Sequence, residues 1–234
     1  HWMVHSFPTR RSSDLGDAVL LTYNQTQILI DGGPDNKVLS CLSDHLPFWD
    51  RQLEAVFLTH PDSDHLNGLL GVFKRYQVQY FFSNFKIEGL LKARALGKGD
   101  KVKIGLLQFL VLWPEKAEIK SKDINDDSLV LEFEFGQLKI FLSGDITQKI
   151  EERIKVNKVD ILKVAHHGSK NSTSDDFLMK IKPQLAVISV GENRFGHPAP
   201  ETLKRLLKKQ IKILRTDQEQ DIEIVSDGQQ WYNL

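Results

Sequence analysis

Four side chains able to bind a metal ion, His60, Asp62, Asp64 and His65, fall within six consecutive residues. Neither a strand nor a helix can aim positions 60, 62, 64 and 65 at one centre, but a tight loop can. The flanking sequence supplies one. Leu53–Thr59 reads as a short buried strand closed by Pro61. Leu66, Leu69, Leu70 and Phe73 then repeat at i, i+3, i+4 and i+7, the apolar face of a helix. The start of that helix offers free backbone N–H groups and partial positive charge to a nearby anion. A plainer reading makes the stretch a polar loop with an Asx-turn at Asp62 and a helix cap at Asp64. Against it, two of the chain's 8 histidines bracket two aspartates here.

The same grammar recurs elsewhere: an apolar strand ends, and an Asp or His follows. ILID ends at Asp31, IFLSGD at Asp145 and LKVAHH at His166-His167, while AVISVGENRFGHP delays His197 by a loop. In layered α/β folds such strand ends form the ligand crevice. Gathered on one edge, these side chains make a site large enough for two metal ions. Mixed His and carboxylate ligands suit Zn²⁺, Mn²⁺ or Fe²⁺ rather than a structural cysteine site. Asp145 can offer one oxygen to each ion, and two ions about 3.5–4 Å apart would clamp the attacking and leaving oxygens of a hydrolysis. Each residue also has a structural reading. Asp31 before Gly-Gly can be a turn residue, Asp145 a helix cap, the His166-His167 pair a satisfied sheet edge, and His197 plain surface.

The supporting elements alternate strands, hairpins and helices, which argues for an α/β fold of sheets covered by helices. Ala18–Tyr23 and Gln27–Ile30 read as strands, followed by a helix at Lys37–Leu46, the central strand–loop–helix, and a strand at Val78–Phe82. A short helix is expected over Glu88–Leu96, a strand over Leu106–Trp113, and a charged loop over 115–127. Ser128–Phe135 and Leu138–Leu142 form a hairpin. Helices are expected over 147–155, Ser174–Ile181 and Pro200–Lys209, with strands at Asp160–Ala165, Leu185–Val190, Ile211–Leu214 and Ile222–Val225. The helix from Pro200 carries Lys204, Arg205, Lys208 and Lys209 opposite leucines, the pattern of a solvated face more than of a nucleic-acid patch.

The chain has 234 residues, with 31 Lys plus Arg against 31 Asp plus Glu, so composition gives no general pull towards nucleic acid or acidic lipid. One cysteine, Cys41, excludes an internal disulfide. No apolar run is long enough to span a membrane, so the chain itself is expected to be soluble. Residues 1–15, HWMVHSFPTRRSSDL, lack periodicity and read as a non-native leader, an adapter or cloning remnant. Residues 16–234 read as one hydrolase domain.

The ordered motifs resemble those of the metallo-β-lactamase superfamily, and within it the hydrolase domain of ComEC/Rec2-type competence proteins. His60-Pro-Asp62-Ser-Asp64-His65 matches that group's H-x-D-x-D-H. Asn125-Asp-Asp-Ser128-Leu-Val-Leu matches N-x-x-SLVL, Ser143-Gly144-Asp145 its GD, and His166-His167-Gly168-Ser169 with Ser172 its HHGS-x-x-S. Gly196-His197-Pro198 and Arg215-Thr216-Asp217 match later blocks. The resemblance implies a four-layered αββα sandwich and two divalent metal ions, Zn or Mn. The implied ligands are His60, Asp62, Asp64, His65, Asp145 and His166, with Asp64 and His167 in catalytic roles. Asp31, Asn125, Ser169 and His197 are implied as substrate contacts or supports of the ligands. Asn125 stands where many superfamily members have a third His. That leaves a weaker ion on His60, Asp62 and Asp145, and a tighter one on Asp64, His65, Asp145 and His166. Relatives begin with a strand ending D-V-G-Q-G-D-A, of which Gly16-Asp17-Ala18 is present, so the first strand is expected to be truncated. The implied function is phosphodiester hydrolysis, with DNA as substrate during natural transformation. The implied setting is attachment to a membrane channel domain on the outer face of the bacterial cytoplasmic membrane, with no obligate protein partner. The alternatives are a stand-alone phosphodiesterase or phosphorylcholine-esterase-like metallohydrolase, and a non-catalytic DNA-binding module.

Overall fold

A computed structural model describes residues 15–117 and 123–234, together with the backbone of residues 2–6. Two seven-stranded sheets face each other. The first runs β14 (Trp231–Asn233), β13 (Ile222–Ser226), β1 (Trp2–Ser6), β2 (Val19–Tyr23), β3 (Thr26–Ile30), β4 (Gln52–Phe57) and β5 (Gln77–Phe82). The second runs β12 (Lys212–Arg215), β11 (Leu185–Ile188), β10 (Ile161–Lys163), β9 (Leu138–Leu142), β8 (Val130–Phe135), β7 (Leu107–Trp113) and β6 (Lys101–Ile104).

The strands bury both faces, and the period of two divides their side chains between separate cores. Val19, Leu21, Ile28 and Ile30 point between the sheets, where they meet Leu131, Phe133, Leu138, Ile140 and Leu142. Leu20 and Leu29 point outward to α1 (Lys37–His45) and α2 (Ser63–Arg75), packing with Val38, Leu42, Leu69 and Val72. On the other flank, Val130, Phe141 and Leu162 pack under α3 (Gln148–Glu151), α4 (Asp175–Ile181) and α5 (Pro200–Lys208). The result is the expected four-layered αββα sandwich. Among the described residues no helix is long and apolar enough to cross a membrane.

Several expectations are corrected. Within the segment read as a leader, Trp2–Ser6 forms a strand that pairs antiparallel with both β2 and β13. The remainder of the segment read as a leader, 7–14, lies outside the described residues, as do 118–122 of the charged loop. Residues 88–96 form no helix; the 83–95 segment is a turn-rich loop around a cavity of about 520 Å³. Gly89 with a φ of +79° breaks the apolar spacing there. On α2, Leu70 is 40% exposed and Val72 takes its place in the buried stripe. The helix expected over 147–155 is one turn, Gln148–Glu151. Strands β6 and β14 and the short helix α6 (Thr216–Glu219) were not legible in the periodicity.

Two contacts fix the loops that matter. Gly32 N–H donates to the His65 carbonyl at 2.7 Å, and Gly68 N–H donates to the Gly33 carbonyl at 3.0 Å. A Cβ on Gly68 would lie 1.8 Å from the Gly32 oxygen, so only glycine lets α2 approach the end of β3 this closely. Across the molecule, the buried Glu151 carboxylate accepts the Thr173 N–H and, at 2.9 Å, the Ser174 N–H. It ties α3 to the end of the segment that follows His166 and His167, where Ser174 caps α4 by accepting the Phe177 N–H at 3.2 Å. Glu151→Ala should therefore lower unfolding free energy by about 2–4 kcal/mol, because it strands two buried N–H groups. Glu151→Gln, which keeps an acceptor oxygen, should lose less. Urea titration of both variants checks this, and a silent Glu151→Ala would contradict it.

Candidate metal centre

Parallel pairing brings the strand ends together. β3 pairs parallel with β4, and β9 with β10, so within each sheet the residues after these strands leave from a common edge. Asp31 follows β3, His60 follows β4, Asp145 follows β9, and His166-His167 follow β10. Asp31, His60, His65, Asp145 and His167 are all buried.

Their orientations follow from one hydrogen-bond chain. Asp31 accepts the Thr59 N–H on Oδ1 at 2.8 Å and the Thr59 hydroxyl on Oδ2 at 2.8 Å. His65 Nδ1 lies 2.8 Å from the same Oδ2, so it must donate there. Because the Thr59 hydroxyl gives its proton to Asp31, its oxygen accepts from His60 Nδ1–H at 3.1 Å. Both imidazoles, when neutral, are thus held with Nε2 bare. His167 Nδ1 sits 2.8 Å from the Ser189 carbonyl and donates to it, which turns its Nε2 towards the Asp64 carboxylate.

These nitrogens face carboxylates. His65 Nε2 is 3.5 Å from Asp145 Oδ1, and His60 Nε2 is 3.9 Å from Asp145 Oδ2 and 3.6 Å from Asp62 Oδ2. His167 Nε2 is 3.1 Å from Asp64 Oδ2 and 3.8 Å from Asp145 Oδ2. His60 Nε2, His65 Nε2 and Asp145 Oδ1 are buried without any hydrogen-bond partner. Lone pairs converging in a buried space repel unless a proton or a cation lies among them. Burial pushes the His65 pKa down, but the Asp145 and Asp31 carboxylates outweigh it and raise it well above the ordinary value. His167 is raised against burial by Asp17 and Asp145. Burial would raise Asp145, yet the charges of His65 and His167 hold it well below the ordinary carboxylate range. Burial likewise opposes the lowering of Asp64 by its His167 hydrogen bond and by His65. Such a field attracts cations, and a divalent ion fits where protons would otherwise sit. Two ligand groups meet the distance requirement: His60, His65 and Asp145, and Asp64, His65 and His167.

The grouping differs from the expected one. His65 is common to both sets, and it is His167, not His166, that joins Asp64. His166 stands at the rim, 30% exposed, with Nε2 4.0 Å from Asp145 Oδ2. Both residues have left-handed backbones, with φ of 51° and 52°, conformations that non-glycine residues adopt only when neighbours impose them. Here the Ser169 N–H binds the His166 carbonyl at 2.8 Å and the Ser172 hydroxyl binds the Ala165 carbonyl at 3.1 Å. The Ser169 Oγ accepts the Asn171 N–H at 3.3 Å within that turn. Asn125 opens a 3₁₀ turn leading to Ser128, whose Oγ accepts the Asp145 N–H at 3.1 Å, and its own Oδ1 is buried and unpartnered. The His197 ring lies 5.7 Å from that of His166. Burial and the neighbouring His166 and His167 lower its pKa.

Asp17 and Lys163 had no motif of their own beyond Gly-Asp-Ala and an apolar strand. Lys163 Nζ and Asp17 Oδ2 form a buried pair at 2.6 Å that joins the two sheets, and Asp17 Oδ1 reaches to 3.6 Å of His167 Nδ1. A lysine inside the strand LKVAHH was the available signal, since a buried lysine requires a partner.

Comparison with known proteins places this geometry. The family model described as the metallo-beta-lactamase superfamily matches residues 13–85, the span of Asp31 and His60–His65. ComE operon protein 3 of Bacillus subtilis is 37% identical over 193 residues, covering 74% of this chain and 24% of that protein. Recombination protein 2 of Haemophilus influenzae is 31% identical over 209 residues, covering 86% of this chain and 26% of that protein. The chain thus spans about a quarter of the length of these curated relatives. Among solved structures, the metallo-beta-lactamase fold protein YhfI from Bacillus subtilis superposes with a TM-score of 0.62 at 13% identity, over 92% of this chain and 95% of that one.

Asp31→Asn keeps the side-chain shape and tolerates the left-handed backbone of position 31, whose φ is 58°. An amide nitrogen facing His65 would force that ring to accept at Nδ1 and carry its proton on Nε2. Zinc affinity, measured by chelator competition, should fall about 10- to 100-fold with an unchanged far-UV spectrum. Unchanged affinity would contradict the orienting role.

Proposed function

We propose, from the premise that this chain is a metallo-β-lactamase-fold domain homologous to parts of ComE operon protein 3 and Recombination protein 2, that it is a metal-dependent hydrolase of phosphodiesters whose substrate is DNA. The observation that carries the reading is the set of buried, unpartnered His60 Nε2, His65 Nε2 and Asp145 Oδ1 atoms, with Asp64 beside them. His60, His65, Asp145, Asp64 and His167 would hold the ions, with Asp62 and His166 completing the shell from the rim. When bound, divalent ions at such a centre supply Lewis acidity towards a phosphoryl oxygen and lower the pKa of water.

The chain's own groups then have distinct tasks. The Asp64 carboxylate is 24% exposed and stays ionised, so it can take up a proton from an attacking water. His167 Nε2, 3.1 Å from Asp64 Oδ2, lies beside that carboxylate and would share an ion with it. His166 stands at the rim with the His197 ring 5.7 Å from its own. The depressed pKa of His197 keeps it a neutral hydrogen-bonding imidazole near pH 7. The setting we propose is a domain carried by a larger membrane-borne DNA-uptake protein.

The test is hydrolysis of bis-p-nitrophenyl phosphate and of linear DNA, with Mn²⁺ or Zn²⁺ added. Asp64→Asn should lower both rates by at least about a hundredfold while the protein remains folded. Parent-level rates in that variant would overturn the mechanism. Cleavage of the small ester alone would leave the reaction class and remove DNA as substrate.

A further inference from the structure

The loop Gly191–Pro198 presents a phenyl ring, Phe195, that the hydrolytic centre does not use. Phe195 is 74% exposed. Its ring lies nearly parallel to that of His197, with centroids 6.0 Å apart and planes at 20°. The His197 ring is in turn 5.7 Å from that of His166, at the rim of the centre. Single exposed apolar side chains are ordinary and need no explanation. Phe195 differs in how it is held. The Asn193 side chain accepts the Phe195 N–H at 3.1 Å and the His197 N–H at 3.0 Å, and donates to the carbonyls of Gly191 at 2.9 Å and His197 at 2.8 Å. The Ala199 N–H then fixes the loop's exit to the Gly168 carbonyl at 2.9 Å, in the same turn as His166 and His167. One side chain thus braces the loop from inside, and its base is pinned to the metal-ready turn. The phenyl ring is therefore offered in a preset place, with little ordering left to do on binding.

We propose that Phe195 is a stacking platform for a nucleobase of a single-stranded nucleic acid whose phosphodiester lies at the centre. The proposal deepens the phosphodiesterase reading and rests on it. Ring-to-ring steps of 6.0 and 5.7 Å lead from Phe195 through His197 to His166, so the phenyl ring lies a short way from the rim of the centre. A ligand with a flat ring a short way from an anionic ester is what this juxtaposition suits. Charge does not carry the contact: Glu192 and Arg194, both exposed, flank Asn193 with opposite signs, and the chain's net charge is zero. Base–aromatic stacking tolerates any sequence, because every base has a π face. It also demands unpaired bases, since those of a duplex are already stacked on one another.

The test is equilibrium binding of a short fluorescein-labelled oligothymidylate by anisotropy, with Mn²⁺ present and phosphorothioate linkages to suppress turnover. Phe195→Ala should weaken binding about 5- to 100-fold, and Phe195→Trp should bind at least as tightly as the parent. An oligonucleotide of the same length with abasic sites should bind the parent as weakly as oligothymidylate binds Phe195→Ala, with no further loss in the variant. Equal binding by parent and Phe195→Ala, or no oligonucleotide binding by the parent, overturns the platform. The phosphodiesterase reading is judged separately, by ester hydrolysis. Phe195-dependent binding without any hydrolysis would keep the platform and remove the enzyme. Hydrolysis without Phe195-dependent binding would do the reverse.

Discussion

Three hydrogen bonds converge on the Asp31 carboxylate, from the Thr59 amide, the Thr59 hydroxyl and His65 Nδ1. Through Thr59 they also dictate the orientation of His60. One buried side chain thereby decides which nitrogen of two histidines faces the centre. Asp31 is itself fixed twice: its N–H donates to the Phe57 carbonyl at 2.8 Å, and the following Gly32 N–H donates to the His65 carbonyl. The end of β3, the end of β4 and the start of α2 are therefore one hydrogen-bonded unit. The left-handed backbone at Asp31 is the local cost of bringing a carboxylate under both rings.

The second sheet supplies what the first cannot. Asp145 arrives from β9 and His167 from the turn after β10, and the Asp17–Lys163 pair links the sheets just behind them. Buried ion pairs contribute little net stability, because desolvation offsets their attraction. Placing one here instead determines how the facing strand ends lie relative to each other. The mutual pKa shifts follow from the same arrangement. Carboxylates hold His65 and His167 towards the charged form, and those histidines hold Asp64 and Asp145 ionised, each against the effect of burial. A centre built from such compensation can exchange protons for a divalent ion with little movement of its walls.

Much of this was legible in the sequence, for identifiable reasons. Strand periodicity and abrupt strand ends at Asp31, His60, Asp145 and His166 pointed to sheets covered by helices and to a common edge, and the ordered motifs, through the family resemblance, implied the four-layered sandwich. The 83–95 loop was misread because its apolar residues fall at helical spacing while Gly89 adopts a positive φ. How far the adjacent His166 and His167 each reach into the centre depends on two consecutive left-handed residues that no spacing rule encodes. The Ser169 hydroxyl accepts the Asn171 N–H, a contact that the HHGS run alone does not reveal. Asp17 and Lys163 are 146 positions apart, and only the facing of two sheets makes them neighbours. Trp2–Ser6 pairs between β2 and β13 although its composition gave little sign of a strand.

The account turns on how the imidazoles of His60 and His65 are oriented, and nitrogen NMR of the zinc-loaded protein with ¹⁵N-labelled histidine reads that directly. Both rings should carry a proton on Nδ1, hydrogen-bonded to Thr59 and to Asp31, and none on Nε2, which should show the shift of a coordinated nitrogen. A proton on Nε2 of either ring, with Nδ1 bare, would contradict the account.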